Sequence, residues 1–297
     1  MRVDPFYVTN LSGALDQTQV AQQQLSGELS SGLRFSAIGD DPVAAAQNVQ
    51  LLNQIQRDDS FTQTNSLTQG LLQVTDSALG SVVTQLNQAL SLATEANNGT
   101  LNSSDLKAIS NQLTGVRDEV LSLANTNYQG QYVFGGSQTG TTPFTLDNTT
   151  TPATVTYNGD ADVNTILSPN GQSIQLNLPG DQIFTSTTAN VLGALNSLIA
   201  DYAGGNPGSG VTDTAALSTA LNFVGQQRVT IDNSITRLNA ASGAATDEAT
   251  QLTAVQTNLV QADIASVSTQ LALTQSQQTA LISVIAALGQ GSLFDKL

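Results

Sequence analysis

The hydrophobic pattern at both ends of the chain predicts two long helices that pair with each other. Near the C-terminus, apolar or small residues recur in steps of three and four, the spacing of one helix face. These positions are Ile264, Val267, Leu271, Thr274, Gln278, Leu281, Ile285 and Leu288. The N-terminal stretch repeats the step at Leu11, Leu15, Thr18, Gln22, Leu25 and Leu29. The simplest interpretation is that the two helices pack together and then against other copies.

The faces opposite these stripes carry almost no charge. No charged residue lies between Asp16 and Glu28, or between Asp263 and Asp295. A helix face in water normally carries Lys and Glu, so these faces are expected to be covered. The stripes also hold polar residues, and at roughly 1.5–3 kcal/mol per buried Leu or Ile they barely offset the cost of ordering two isolated helices. We therefore expect ordering on assembly. The densest apolar run, residues 280–288, is about half the length that a bilayer requires.

Between the end helices, the pattern predicts more helices around a β-rich insert. Gly32 is expected to end the first helix, and Asp41-Pro42 to begin the second with Asp as N-cap and Pro at the first position. That second helix is predicted to reach about Ala96, with a bend or break at residues 57–66, and Ser103 is expected to cap the next one. Strands are predicted at 132–134, 155–157 and 174–178, a short helix at 191–199, and a flexible link at 204–210. The helical spacing resumes after Thr212 and weakens at 239–250.

These elements define the fold class: a mainly α protein, built as an elongated antiparallel helical bundle with terminal coiled-coil helices and a β-rich insert at the tip. Residues 1–41 plus 260–297 would form the terminal helices, the assembly core. Residues 42–129 plus 211–259 would form the helical bundle, and 130–210 the outward insert.

Composition excludes several classes of function. The net charge of −15 argues against binding to nucleic acid or to an anionic membrane. The 297 residues contain no Cys and no His, so thiolate metal sites and His-dependent catalysis are excluded. The first residues show no basic leader with an apolar region, so no cleaved signal peptide is expected. The protein would then be cytoplasmic or be exported with its N-terminus intact.

Two motifs resemble ligand sites but match them only in part. Gly135 and Gly140 have the spacing of a phosphate loop, but Thr141 stands where Lys is needed. Asp160, Asp162 and Asn164 match the first half of a calcium loop, and a solvated turn is the better interpretation. We predict no catalytic, cofactor-binding or metal-binding residues, no cofactor, and no enzymatic activity.

Several stretches resemble the bacterial flagellin superfamily. Residues 29–34 (LSSGLR) and 40–46 (DDPVAAA) are similar to its N-terminal signature, and residues 262–265 (ADIA) with the last helix to its C-terminal one. Residues 130–136 (GQYVFGG), 157–160 (YNGD) and the ending 292–297 (SLFDKL) resemble the hook–filament junction proteins of that superfamily. One departure is Asp232 and Ser234, where the family usually has a glycine and a second Arg.

The resemblance implies a structural, secreted component of the bacterial flagellum that is exported by a type III apparatus. Such a subunit forms a ring of copies and contacts a hook-side junction protein, flagellin and an export chaperone. The terminal helices would build an inner tube, and we expect the connection from Gly32 through Gly39 to Asp41 and Pro42 to act as a hinge.

Two other functions stay open at this point. The chain could be a short flagellin filament subunit. It could instead be a secreted acidic binding or adhesin-like module that uses its β insert, and such a module would keep its ends under limited proteolysis.

Overall fold

A computed structural model describes residues 5–290, with side chains at 9–206 and 208–287. Within that range there are seven helices and three two-stranded antiparallel hairpins. The helices are α1 (Pro5–Ser31), α2 (Pro42–Ala96), α3 (Ser103–Ala124), α4 (Gly180–Phe184), α5 (Val191–Ala203), α6 (Pro207–Val260) and α7 (Ile264–Gln290). The strands are β1 (Asn127–Tyr128), β2 (Gln131–Tyr132), β3 (Phe144–Asp147), β4 (Thr154–Tyr157), β5 (Thr165–Leu167) and β6 (Ser173–Gln175).

The chain divides into two compact units, and both ends of the chain lie in the first. This terminal unit contains α1, α7, the first part of α2 to residue 57, and the last part of α6 from residue 247. Local chemistry sets its helix ends. Gly32 follows α1 with a φ of +70°, a conformation that glycine adopts at little cost. The Asp41 carboxylate accepts from the amide of Ala44 and caps α2, and Asp263 accepts from the amides of Ala265 and Ser266 at the start of α7.

The second unit, residues 58–246, is built on one hydrophobic core. Heptad-like positions of α2, α3 and α6 are fully buried in it, together with most of α5; examples are Leu72, Leu79, Leu86, Leu113, Val120, Leu192, Leu217 and Leu238. Polar anchors join the helices: Ser110 donates from its hydroxyl to the carbonyl of Ile199 over 2.8 Å, and the buried Tyr202 hydroxyl bonds to the carbonyl of Ala93 over 3.2 Å.

The β-rich part of this unit is held by aromatic side chains. β1 pairs with β2, β3 with β4, and β5 with β6, each antiparallel. The Phe184 ring meets the rings of Phe134 and Phe144 edge-on, with both pairs of centroids 5.3 Å apart. The Tyr157 hydroxyl lies 2.9 Å from the carbonyl oxygen of Phe134, and burial raises its pKa to about 12. The three hairpins thus share one interior with the helices.

The predicted break at residues 57–66 is wrong, since α2 runs unbroken through them. The helix α6 is also continuous through 239–250, where the helical spacing of the sequence weakens. Several polar side chains of residues 57–66 bond to carbonyls of their own helix or of a neighbouring one, although the buried Asn65 Oδ1 has no partner among the described residues. Asn65 is buried and donates to the carbonyl of Leu238 over 3.2 Å, and the Thr62 and Ser66 hydroxyls bond to carbonyls four residues back. A polar stretch therefore does not end a helix when the neighbouring helix accepts its side chains.

Smaller differences concern element ends. Asn102, rather than Ser103, caps α3 in a reciprocal capping box with Asp105. Of the strand predicted at 132–134, only Tyr132 pairs in β2, because Val133 and Phe134 turn into the core. The predicted link at 204–210 is shorter, since α6 begins at Pro207. The mainly α fold class with a small β part is confirmed, and the three-part domain boundaries stay a prediction.

Candidate assembly interface

The predicted stripes on α1 and α7 face each other, because the two helices pack together in the terminal unit. Val267 is buried, and the other stripe positions with a described exposure are half-buried apart from two. Leu29 and Ile264 are exposed, at 37% and 45%, and the side chain of Leu288 lies outside the described residues. The half-buried stripe positions are Leu11, Leu15, Thr18, Gln22, Leu25, Leu271, Thr274, Gln278, Leu281 and Ile285.

This seam buries little, as its composition predicts. Thr18 and Thr274 bond through their hydroxyls to carbonyls of their own helices over 2.8 Å, so they add no bond between the helices. Apart from Val267, every stripe side chain with a described exposure keeps part of its surface in solvent. The pair α1–α7 therefore gains only part of the roughly 1.5–3 kcal/mol that each fully buried Leu or Ile would contribute.

The sequence stripes missed a second set of apolar residues, which point away from the seam. Val20 is 64% exposed on α1, and Leu273 and Ile282 are 58% and 51% exposed on α7. They were missed because they lie outside the three-four step of the two stripes. An open groove of about 530 Å³ runs beside the seam and is lined by Ala14, Gln17, Thr18, Ala21, Thr274, Gln277, Ala280, Leu281 and Val284. The outer faces of the pair are thus mostly apolar, small or amide-bearing, which suits contact with other helices.

The predicted hinge residues lie in a connection that is tied to the other end of the chain. Leu33 forms an antiparallel bridge with Gln261, the amide of Arg34 donates to the carbonyl of Val260 over 2.7 Å, and the amide of Ala262 donates to the carbonyl of Gly32 over 2.9 Å. We call this arrangement, residues 32–34 with 260–262, the clasp. The link after α1 and the link before α7 are thereby held together as two short antiparallel segments.

Side chains hold the same connection against α2. Arg34 pairs with Asp41 over 3.0 Å, and the ring of Phe35 is buried against Ala44 and Ala45. The amides of residues 36 and 37 donate to the Asp40 carboxylate, which lowers its pKa. Gly39 has open space around it and no left-handed backbone, and Pro42 opens α2.

The calcium-loop candidate has a structural explanation. The Asp160 carboxylate accepts from the amide and hydroxyl of Ser137 and from the amide of Asp162, and the bonds to Ser137 lower its pKa. Its oxygens therefore brace the turn at residues 135–137. Among residues 5–290, no group of three or more acids, His or Cys is placed to hold a metal ion. A search of the same residues finds no helix with the length and hydropathy of a membrane span.

We predict that Asp213→Asn stabilises the 58–246 unit at neutral pH. Burial, and then the neighbouring Asp201 carboxyl, raise the pKa of Asp213 to about 6 in the folded protein. The folded state therefore binds a proton more tightly than the unfolded chain, so the stability that Asp213 contributes is present below about pH 4 and is lost as pH rises through about 6. After discounting for solvent screening, the variant should gain about 1 kcal/mol at pH 7.5 and nothing at pH 4.

Urea unfolding followed by tyrosine fluorescence at both pH values measures this difference. Glu119→Gln, which removes an exposed carboxyl of α3, is the control and should show no such pH-dependent gain. A gain at pH 7.5 that persists unchanged at pH 4 would show that the raised pKa of Asp213 is not the cause.

Part of the chain is similar to a known protein family. Residues 8–139 match the family model described as the bacterial flagellin N-terminal helical region. The flagellar hook-associated protein 3 of Salmonella typhimurium is 29% identical over 187 residues, which are 63% of this chain and 57% of that protein. The chain thus spans a little over half the length of the curated relatives that it matches first.

Solved structures agree on the fold. A putative flagellar hook-associated protein from Vibrio parahaemolyticus superposes with a TM-score of 0.65 at 19% identity, over 75% of this chain and 100% of that one. The flagellar junction protein of Legionella pneumophila gives 0.59 at 14% identity, over 72% and 99%. The predicted resemblance to the bacterial flagellin superfamily is confirmed over residues 8–139. The chain is also similar to flagellar hook-associated protein 3, as the sequence predicts.

Proposed function

We propose that this chain is a structural adaptor of the bacterial flagellum that joins the hook to the flagellin filament. The observation that carries the proposal is the α1–α7 pair, whose seam is half-covered and whose outer faces are partly apolar and carry little charge. Such a surface is costly in water and suits burial against equivalent helices of other copies. The name shared by its relatives supports the same role.

The proposal includes partners and place. A ring of copies would contact a hook-side junction protein on one side and flagellin on the other, and an export chaperone would cover the terminal helices beforehand. The protein would act outside the cell, exported without a cleaved signal peptide. It would work without enzymatic activity, since its task is contact between subunits rather than chemistry.

Electron microscopy of a strain that lacks this chain tests the proposal, together with an assay of the culture medium for flagellin. Bare hooks with flagellin shed into the medium would support a junction adaptor. Bare hooks without shed flagellin would instead make this chain the filament subunit. Normal filaments would overturn both and favour a ligand-binding role for the β-rich part.

We propose in addition that the connection from Gly32 to Asp41, which the clasp ties to the link before α7, is the hinge that absorbs mismatch between hook and filament. Gly32→Pro should slow swimming strongly, because proline cannot adopt a φ of +70° and removes the amide that donates to the carbonyl of Glu28 over 2.8 Å. The local cost should be about 3 kcal/mol. Gly39→Pro should have a weaker effect, since its surroundings are open. Swimming speed and filament counts measure both, and normal swimming of the two variants would exclude this connection as a required hinge.

A further inference from the structure

Three Asn-Gly pairs occur in the chain, at residues 98–99, 158–159 and 170–171. In such a pair the backbone nitrogen of glycine can attack the side-chain carbonyl carbon of asparagine, and ammonia leaves as a five-membered succinimide closes. Water then opens the ring to aspartate or isoaspartate. The reaction needs no other reactant, but the side chain and the glycine nitrogen must be free to meet.

Two of the three pairs are held against this reaction. The Asn158 amide group donates to the carbonyl of Thr142 and the hydroxyl of Thr145, and the position of a side chain on Gly159 is filled by the Tyr157 hydroxyl and the carbonyl of Gly135. In the third pair the Asn170 oxygen accepts from the Ser168 hydroxyl, and the amide of Gly171 donates to the carbonyl of Ser168 over 2.8 Å.

The pair at 98–99 has none of these restraints. It is exposed in the turn after α2, and within the described part of the chain no group bonds to the Asn98 side chain or to the amide of Gly99. Nothing lies within 4 Å of the position that a side chain on Gly99 would occupy, so the attack is unobstructed.

We propose that Asn98 is the site of spontaneous deamidation in this protein. The product places a negative charge beyond the C-terminus of α2, the negative end of the helix dipole. It also inserts an extra main-chain carbon, where isoaspartate forms, directly beside Asn97. That residue donates to the Thr214 hydroxyl over 2.9 Å and accepts from the Tyr202 hydroxyl, so it joins α2 to α5 and α6. Spontaneous chemical damage to the folded protein would therefore begin beside the contact that joins α2 to α5 and α6.

The test is peptide mapping by mass spectrometry of the full chain after incubation at pH 8.5 and 37 °C, with isoaspartate detected by enzymatic methylation. Deamidation at Asn98 should be at least roughly tenfold faster than at Asn158 or Asn170 in the folded protein, because the two bonded sites react only after local opening. In urea the three rates should converge. Asn98→Gln should remove the fast phase. Equal rates in the folded protein, or the same order of rates in urea, would overturn the proposal.

Discussion

Replacing Phe184 by alanine should lower the free energy of unfolding of the 58–246 unit by about 4 kcal/mol. The Phe184 side chain is completely buried, and its ring makes edge-on contacts with both Phe134 and Phe144. Removing it deletes the transfer energy of the ring, both aromatic pairs, and the packing around the cavity left behind.

The surroundings of Phe184 cannot collapse into that cavity. Gly180 begins the same short helix, α4, and its amide donates to the carbonyl of Phe134 over 2.9 Å. A side-chain carbon on Gly180 would lie 2.7 Å from the Phe144 ring, so backbone and ring are already in close contact. Since this packing is tight on the glycine side, we expect the cost of Phe184→Ala in the upper part of the usual range.

Urea unfolding of the full chain, followed by tyrosine fluorescence, measures the change, because four of the five tyrosines lie in this unit. The midpoint of thermal unfolding should fall by about 10 °C. Phe223→Ala is the matched control: it removes the same atoms from a half-buried position of α6 and should cost much less. Equal losses of stability in the two variants would show that the three-ring cluster contributes no more to the free energy of unfolding than a half-buried ring does.

The helical framework could be predicted from the sequence because its signals are local. Gly32 and Asp41-Pro42 define a helix end and a helix start by backbone preference alone, and α1 ends and α2 begins where these residues predict. The stripes of α1 and α7 follow from helical periodicity, and they lie on the faces that pack together.

The partners of side chains far apart in sequence could not be predicted. Periodicity shows which face of a helix is buried but not what covers it. Arg228 makes two hydrogen bonds to Asp76 at 2.9 and 3.1 Å, across 152 positions, and this contact raises the pKa of Arg228. The same region departs from the family pattern at Asp232 and Ser234, yet α6 stays helical and Ser234 is buried. The sequence departure therefore does not change the course of the helix.

For a related reason, the sequence predicts only one part of the candidate assembly interface, the seam between α1 and α7. The three-four stripe identifies residues that α1 and α7 bury against each other. The faces that point away from this pairing need no such period. Val20, Leu273 and Ile282 are consequently visible only as exposed apolar side chains on helices with little charge. Their signal in the sequence is the absence of Lys and Glu around them.

Introducing a charge at Leu281 should leave most hooks without filaments. This side chain is half-buried on α7 and lines both the seam and the groove beside it. In Leu281→Lys, every copy in a ring would bring an ammonium group into a contact with no acid on α7 to pair with it. Covering an unpaired charge costs several kcal/mol, and each 1.4 kcal/mol is tenfold in an equilibrium constant. Filament number per cell should therefore fall by more than about tenfold.

Electron microscopy of cells that carry the variant as their only copy measures this, with immunoblots of cell and medium to confirm that the chain is made and exported. Val229→Lys places the same charge at an exposed position of the 58–246 unit and should keep normal filaments. Leu281→Met preserves the apolar volume and should also retain them. If Leu281→Lys cells assemble filaments as well as Val229→Lys cells do, the α1–α7 pair is not the surface on which copies meet. If neither variant but only Leu281→Met forms filaments, the outer face of α6 belongs to the interface as well.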